Sequence, residues 1–243
     1  WLMYQPPANS YQRWAKSALL ILLGIFLLLL SSRLVLAVVT LYWIVLFMVR
    51  ATPAFRVILT LGIIALVLLT IFTNNPLSDR FRDLAKGETA VLGKKQFSPD
   101  EYFNGFRFRQ LQWRLVPGIV NETGSWWTGT GPGHSQQLLE KKYRSLGMYS
   151  GDSRSGSTGY ALYNAHNQWL EALLKSGLPG LLAFALLMLA LLRLALVYKN
   201  NALRFTVLLL CCFSCTESML ETQYGILVTG FFPLFFATAK PTD

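Results

Sequence analysis

A 33-residue apolar stretch near the start of the chain limits the fold more than any other feature. Residues 17–49 contain a single charged side chain, that of Arg33. One helix of this length would be roughly 50 Å long, whereas the hydrocarbon core of a bilayer is about 30 Å thick. The stretch is therefore too long for one crossing, and we expect the chain to turn at Ser-Ser-Arg, residues 31–33. This predicts one membrane-spanning helix that ends near Leu30 and a second over residues 34–49.

The rest of the chain repeats this alternation of apolar stretches and polar connections. Four more stretches predict membrane-spanning helices, over residues 57–72, 178–197, 205–216 and 225–239. Only 14% of the residues are charged, whereas an ordinary soluble domain carries about 25% charge. We therefore predict an all-α, polytopic membrane protein with about six transmembrane helices. Residues 1–72 hold the first three, residues 73–177 form a long loop that contains short helices, and residues 178–243 hold the last three.

The charged residues between the apolar stretches predict the orientation. The short connections at residues 50–56 and 199–204 carry basic side chains and no acidic ones. Such connections lie on the cytoplasmic side, so the long loop is expected on the opposite side. The net charge of +10 suits an anionic partner such as membrane lipid or phosphate, and no basic soluble module is present that could reach nucleic acid. Because the chain begins at Trp1, without an initiator Met, we expect it to be part of a longer polytopic protein.

Arginine residues at two places are candidates for holding an anion. Arg33 lies between two apolar stretches on the outer side, where cations are scarce and costly to bury. Arg107, Arg109 and Arg114 alternate with aromatic residues in the long loop. Guanidinium groups bind phosphate oxygens in a bidentate manner, so these side chains could hold a diphosphate at the membrane surface. The alternatives are that Arg33 extends to lipid headgroups and that the second group forms a basic helix lying on them.

His166 is one of only two histidines in the chain and precedes a predicted membrane span. An imidazole there could take a proton from an attacking hydroxyl near neutral pH; the alternative is a hydrogen-bonded structural residue. We expect His166 to lie on the apolar face of an amphipathic helix that breaks at Gly177. Glu217 and Glu221 lie on the connection between the last two spans. They could orient an arginine or the histidine, or they could be exposed interfacial acids.

Glycine and cysteine residues predict structure rather than cofactor binding. The glycine-rich middle of the loop, which includes Gly-Thr-Gly-Pro-Gly at residues 129–133, is predicted to be a mobile coil. Cys211, Cys212 and Cys215 fall in one apolar segment and are expected to be small membrane-buried side chains. No cluster has zinc-like spacing, and no phosphate-binding glycine motif follows a strand. Neither a metal nor any other cofactor is therefore expected.

The order of these motifs is more specific than any one of them. They follow one another as Ser-Arg at the end of a span (residues 32–33), Arg-x-x-x-Trp (109–113), Gly-x-Gly (129–131), His-Asn-x-x-Leu (166–170) and Gly-Leu-Pro-Gly-Leu (177–181). In this order, the sequence from residue 17 to residue 238 resembles the C-terminal half of the O-antigen ligase/polymerase family. Within that family it looks most like the ligase-type members of Bacteroidetes.

The resemblance implies an enzyme and gives roles to several residues. The implied activity is metal-independent, nucleotide-independent and inverting glycosyl transfer at the periplasmic face of the bacterial inner membrane. The implied donor is a polyprenyl diphosphate-linked glycan, and the expected acceptor is the lipid A core or another glycan. By motif, Arg33 and Arg109 match the family's diphosphate-binding arginines and His166 matches its catalytic base. The supporting candidates are Asn167, Arg107, Arg114 and Glu217.

The residues leave other functions open. A polymerase that joins repeat units and a protein O-oligosaccharyltransferase share the donor chemistry and differ only in the acceptor. A transporter of anionic lipids would use Arg33 and Arg109 for binding and His166 as a proton relay. Such a transporter is expected to contain paired repeats, and we find no internal repeat in these spans. A purely structural membrane subunit would leave the outer arginine and histidine residues without a role.

Overall fold

The computed structural model describes residues 14–15, 17–19, 21–22, 33–50, 52–72, 93–101, 103–151, 157–198 and 200–238. The regular elements in these ranges are helical, which confirms the all-α prediction. The principal helices are α1 (Arg33–Arg50), α2 (Pro53–Phe72), α3 (Gly105–Glu122), α4 (Pro132–Ser145), α5 (Gln168–Tyr198), α6 (Asn201–Ser214) and α7 (Gln223–Thr238), with a short 3-10 helix at Met219–Glu221.

The described residues fall into two compact units. The helix unit contains α1, α6, α7 and the part of α5 that begins at Leu186. The loop unit contains α2, α3, α4, the part of α5 that ends at Ala185, and the segment Cys215–Ser218. The last segment is distant in sequence from the rest of the loop unit but belongs to it by contact.

The core of the loop unit is built on the amphipathic helix α3. Its start is fixed by Asn104, whose side-chain oxygen accepts hydrogen bonds from the backbone N–H groups of Phe106 (3.1 Å) and Arg107 (2.8 Å); such a cap satisfies donors that a helix start leaves free. Apolar residues recur every three or four positions on one face of α3, and this face is buried. The core contains Phe108, Leu111, Leu115, Val116, Ile119, Leu139, Tyr143 and Leu174.

A buried polar chain crosses this core. The side-chain N–H of Gln112 donates to Tyr143 Oη at 2.7 Å, and the hydroxyl donates to the backbone carbonyl of Tyr163 at 3.1 Å. Both side chains are fully buried. Burial raises the pKa of Tyr143 far above its ordinary value, so the hydroxyl keeps its proton and can donate. The chain thereby connects α3, α4 and the loop that precedes His166.

The predicted break at Gly177 is present and divides α5. Gly177 has a φ of 66°, and the backbone N–H of Leu178 donates to the carbonyl of Trp126 at 2.7 Å. A Cβ atom at Gly177 would lie 2.6 Å from that carbonyl oxygen, so only glycine fits. Across the break, the rings of Trp169 and Phe184 are in edge contact with centroids 4.8 Å apart.

The prediction that the glycine-rich segment is a mobile coil is wrong for the Gly-Thr-Gly-Pro-Gly stretch. The N–H of Thr130 donates to the carbonyl of Leu174 (2.7 Å), and the N–H of Gly131 donates to that of Lys175 (3.0 Å). These are the carbonyls that the interrupted first part of α5 leaves without helical partners. A Cβ atom at Gly129 would lie 2.3 Å from the backbone of Lys175. Glycine is used here for close backbone approach rather than for mobility.

The helix unit is held together by a few polar contacts among apolar helices. Tyr42 of α1 donates from its hydroxyl to the carbonyl of Asn201 (2.9 Å), and its ring contacts that of Phe205. Asn200 caps α6 by accepting from the N–H groups of residues 202 and 203. Its side-chain N–H also donates to the carbonyl of Phe236 at 2.9 Å. The start of α6 is thereby joined to the last turn of α7.

One helix in the described ranges, Gln168–Tyr198, is long and apolar enough to cross a membrane. Shorter apolar helical segments are Pro53–Gly62, Asn201–Ser214 and Gln223–Thr238. Exposed apolar side chains lie along α5 and α7; Leu186, Leu189 and Phe231 are each more than half exposed, which suits contact with hydrocarbon. The predicted first span falls largely outside the described residues. The count of six spans and their orientation stay predictions.

Candidate active site

Two predicted site residues, Arg109 and His166, meet on one carboxylate in the loop unit. The Nη2 group of Arg109 donates to Glu217 Oε1, and His166 Nδ1 lies 3.1 Å from Glu217 Oε2. Arg109 lies near the start of α3, His166 precedes α5, and Glu217 belongs to Cys215–Ser218. The side chains of Arg109 and His166 are each 24% exposed and that of Glu217 is 40% exposed. The cluster is therefore accessible to a ligand.

His166 is held in a strained backbone conformation. Its φ is 44°, in the left-handed region that costs a residue with a side chain about 1–3 kcal/mol and that tends to occur at functional sites. The N–H of His166 donates to Asn164 Oδ1 at 3.0 Å. On the other side, Asn167 caps α5 by accepting from the N–H groups of Trp169 (2.9 Å) and Leu170 (3.1 Å). The prediction that His166 lies on the face of a helix is wrong, because the cap at Asn167 starts the helix after it.

The ring of His166 rests against aromatic side chains of the core. Its centroid lies 5.8 Å from that of Phe108 and 5.4 Å from that of Tyr163. Phe108 in turn stacks on Tyr160 with centroids 5.3 Å apart. With Nδ1 directed at Glu217, the imidazole is fixed on one edge. Its Nε2 atom has no hydrogen-bond partner among the described residues.

Arg109 makes three contacts with the protein through three nitrogen atoms. Nε donates to the carbonyl of Thr216 at 2.7 Å, Nη1 donates to the carbonyl of Gly105 at 2.9 Å, and Nη2 donates to Glu217. A guanidinium group has five N–H donors, so these contacts occupy three of them and leave two. The side chain is therefore fixed in direction while keeping donors for an anion.

Contacts within this cluster keep Glu217 ionised over the whole physiological pH range. Burial alone would raise its pKa, but the hydrogen bond from His166 and the charge of Arg109 together lower the pKa below its ordinary value. A carboxylate on Nδ1 keeps the imidazole proton on that nitrogen and makes Nε2 the basic one. It would also stabilise the imidazolium ion after proton uptake.

Segment Cys215–Ser218 contacts the end of the loop before α5 and the first turn of α5 at three places. Asn167 Nδ2 donates to the carbonyl of Cys215 at 3.0 Å. Glu217 contacts His166, and the hydroxyl of Ser218 lies 3.3 Å from Glu171 Oε2. Glu171 also pairs with Lys175 at 3.1 Å, at the i,i+4 spacing that helix geometry favours. Its burial and its contact with Ser218 were missed, because neither can be read from helical spacing.

The remaining candidates have other partners, lie in another element, or have side chains outside the described part of the structure. Arg107 forms an ion pair with Glu101 at 3.2 Å, and Arg114 donates to the backbone carbonyl of Lys94 at 2.7 Å. Glu221 lies in the short 3-10 helix. Arg33 is the first residue of α1, and its side chain lies outside the described part of the structure.

In the part of the chain that the structure describes, no group of three or more His, Cys, Asp or Glu side chains could hold a metal ion. Cys211 and Cys212 are partly buried, and Cys215 is exposed.

The fold and the cluster define a class: a helical protein with membrane-type apolar helices and a partly exposed His–carboxylate–Arg site. A family model described as O-antigen ligase matches residues 18–185, which is most of the chain. The chain belongs to this O-antigen ligase family, and the resemblance seen in the sequence is confirmed at that level. The closer likeness to Bacteroidetes members stays a prediction. No curated protein gave a significant match.

Membership of the family carries a general function. The family acts in lipid-linked glycan transfer during O-antigen assembly and is glycosyltransferase-like and typically membrane-integral. This implies a lipid-linked glycan donor and a glycan acceptor. Glu217 lies beyond the matched range, so the carboxylate of the cluster comes from a part of the chain that the family model does not cover.

Proposed function

We propose that this protein transfers a glycan from a polyprenyl diphosphate carrier to a hydroxyl group of the lipid A core, at the periplasmic face of the inner membrane. The observation that carries the proposal is the contact of Arg109 and His166 with one carboxylate. It brings an anion-binding group and a base together in a partly exposed position. Family membership supports the class of donor.

His166 acts as the general base in this proposal. The acceptor oxygen attacks the anomeric carbon on the side opposite the diphosphate and forms the new glycosidic bond with inversion. The acceptor proton passes to His166 Nε2, and Glu217 stabilises the resulting imidazolium ion through Nδ1. The bond between the anomeric carbon and the diphosphate oxygen breaks, and polyprenyl diphosphate leaves with the electron pair.

Arg109 holds the diphosphate in this proposal, and the motif resemblance gives Arg33 a diphosphate-binding role as well. Charge develops on the diphosphate as its bond to the sugar breaks, and a guanidinium group already fixed in place stabilises that charge without reorganisation. Arg109 is fixed by Thr216, Gly105 and Glu217 and retains two donors. The diphosphate is already a good leaving group, so the proposed reaction needs no metal ion.

The test is a transfer assay in proteoliposomes with the full-length protein, polyprenyl diphosphate-linked glycan and lipid A core. His166→Ala should lower the rate roughly 100-fold or more, the range for loss of a general base. His134→Ala is the matched control, since His134 is the other histidine and is exposed; it should transfer at the parental rate. Activity should be unchanged in EDTA.

The same assay tests the two arginine residues through the rate of transfer from the donor. Arg109→Ala and Arg33→Ala should each lower the rate by about 100-fold, as for removal of one charge-stabilising donor. Arg144→Ala is the control, because Arg144 forms an exposed ion pair with Glu140. If His166→Ala transfers at the parental rate, His166 is not the general base. If both arginine variants do so, these arginines do not hold the diphosphate. Transfer to glycan repeats or to a protein, but not to lipid A core, would reassign the acceptor.

A further inference from the structure

Glu171 is a buried carboxylate for which the proposed chemistry has no use. It is 2% exposed and lies in the first turn of α5. Removing a charged group from water is costly unless the charge is paired and hydrogen-bonded. Lys175, one helical turn later, lies 3.1 Å from Oε1. That pair accounts for one oxygen of the carboxylate and leaves the burial of the other to be explained.

The second oxygen joins two chain segments that are distant in sequence. Oε2 accepts the backbone N–H of Ala165 at 3.1 Å and lies 3.3 Å from the hydroxyl of Ser218, which donates to it. Ala165 immediately precedes His166, and Ser218 immediately follows Glu217. One carboxylate oxygen therefore contacts the chain neighbours of both members of the His166–Glu217 contact.

A second bridge lies on the opposite side of that contact. Asn167, which follows His166, donates from Nδ2 to the carbonyl of Cys215, two residues before Glu217. The contact between His166 and Glu217 is thus enclosed by bridges before and after it. The bridge made by Asn167 involves a backbone carbonyl, whereas the bridge made by Glu171 depends on a charged group that must remain buried.

We propose that Glu171 is a positioning residue that sets the His166–Glu217 contact by holding Ala165 and Ser218 on one carboxylate oxygen. The inference rests on the proposed function, because it acts through His166. The left-handed conformation of His166 costs free energy, and the hydrogen bond from Ala165 is one of the contacts that maintain it. Without that bond, the imidazole can turn away from Glu217 while the core beneath it stays intact.

The test separates rate from binding in the transfer assay with the full-length protein. Glu171→Gln keeps the size of the side chain, but it leaves one acceptor oxygen where Lys175 on one side and Ala165 with Ser218 on the other use two. We expect kcat to fall roughly 10- to 100-fold, the range for a small misplacement of a reacting group, with the KM for the donor within about twofold of the parent. Glu140→Gln is the matched control, since Glu140 forms an i,i+4 pair with Arg144 on the exposed surface; its kcat should be parental.

A double-variant experiment distinguishes positioning from general support of the fold. If Glu171 acts through the contact between His166 and Glu217, Glu171→Gln should lower kcat by less than about twofold in a Glu217→Gln background, since interacting sites are not additive. Ser218→Ala removes one arm of the bridge and leaves the Lys175 pair intact. It should give a smaller loss that also disappears in that background, which keeps the test decisive should Glu171→Gln fold poorly.

The results that would overturn the positioning role of Glu171 differ from those that would overturn the proposed function. Parental kcat in both Glu171→Gln and Ser218→Ala would overturn the inference, as would losses that multiply fully with that of Glu217→Gln. If His166→Ala is inactive while either of these results is found, only the positioning role falls. If His166→Ala transfers at the parental rate, the proposed function falls first.

Discussion

The loop unit and the helix unit both expose apolar side chains, but they differ in their polar contacts. In the loop unit, Arg109 and His166 both contact Glu217, and polar side chains connect its helices. In the helix unit, exposed leucine and phenylalanine side chains cover α7 and the end of α5, and a few caps and one tyrosine contact supply the polar links. The loop unit therefore holds the candidate catalytic groups, whereas the exposed surface of the helix unit is suited to contact with hydrocarbon.

The glycine at the break of α5 gives the largest expected effect on the loop unit. Gly177→Ala would place a methyl group 2.6 Å from the carbonyl oxygen of Trp126 at a φ of 66°. We expect a loss of at least about 3 kcal/mol in unfolding free energy, measured by thermal unfolding in detergent, because backbone strain and overlap add. Gly118→Ala is the control: a Cβ atom there has no neighbour within 4 Å, and it should be neutral or stabilising by up to about 1 kcal/mol. Equal losses of unfolding free energy in the two variants would contradict the close backbone contact at Gly177.

Two leucines with similar exposure allow a direct comparison of the helix unit with the loop unit. Leu189 of α5 is 60% exposed and Leu162 of the loop unit is 68% exposed. Leu189→Asp should cost about 2.5–3.5 kcal/mol in membrane insertion, because a carboxylate near the middle of a span loses its hydration. Leu162→Asp should change stability by less than about 0.5 kcal/mol. A translocon insertion assay measures the first and thermal unfolding the second; an equally mild result at residue 189 would place that surface in water.

The buried polar chain of the loop unit gives the next effect. Tyr143→Phe removes a hydroxyl that accepts from Gln112 and donates to the carbonyl of Tyr163. We expect a loss of about 2 kcal/mol in unfolding free energy, since two buried groups lose their partner. Tyr224→Phe, in the helix unit, is the control because Tyr224 is largely exposed. A loss no greater than that of the control would show that water replaces the hydroxyl.

The ionisation of Glu217 gives the smallest expected effect, which is measured as the dependence of stability on acidic pH. The pKa of Glu217 is lowered in the folded protein, so its contribution to stability is complete above the unfolded pKa and is lost as the pH falls through the folded value. Glu217→Gln should therefore be less stable than the parent at neutral pH, by about 1 kcal/mol or less because the group is partly exposed. The two stabilities should converge below about pH 4. A constant difference across this range would contradict the role of ionisation.

The sequence predicted the kind of fold better than its arrangement. Apolar stretches indicated the helices at residues 33–50, 53–72, 201–214 and 223–238 to within a few residues, because burial in hydrocarbon imposes length and composition. The break at Gly177 was also predicted, since Gly-x-Pro-Gly ends a helix. The ordered glycine segment was not, because its order depends on carbonyls more than forty residues away.

The candidate site was predicted in part. Arg109, His166 and the orienting role considered for Glu217 came from chemistry and motif order, and the structure brings these three side chains together. Arg107 and Arg114 bind other partners, because successive arginines on α3 point in different directions. Glu171 could not be found from the sequence, since an i,i+4 pair with lysine is usually a surface feature.

The position of Glu217 outside the family-matched range has a practical consequence for protein engineering. A chimaera that joins residues 18–185 to the C-terminal helices of a relative would exchange the acidic partner of the imidazole together with those helices. Loss of activity in such a hybrid would therefore have two separable causes, a missing counter-ion and incompatible packing of the exchanged helices. Crossover points placed after residue 218 would retain the native pairing.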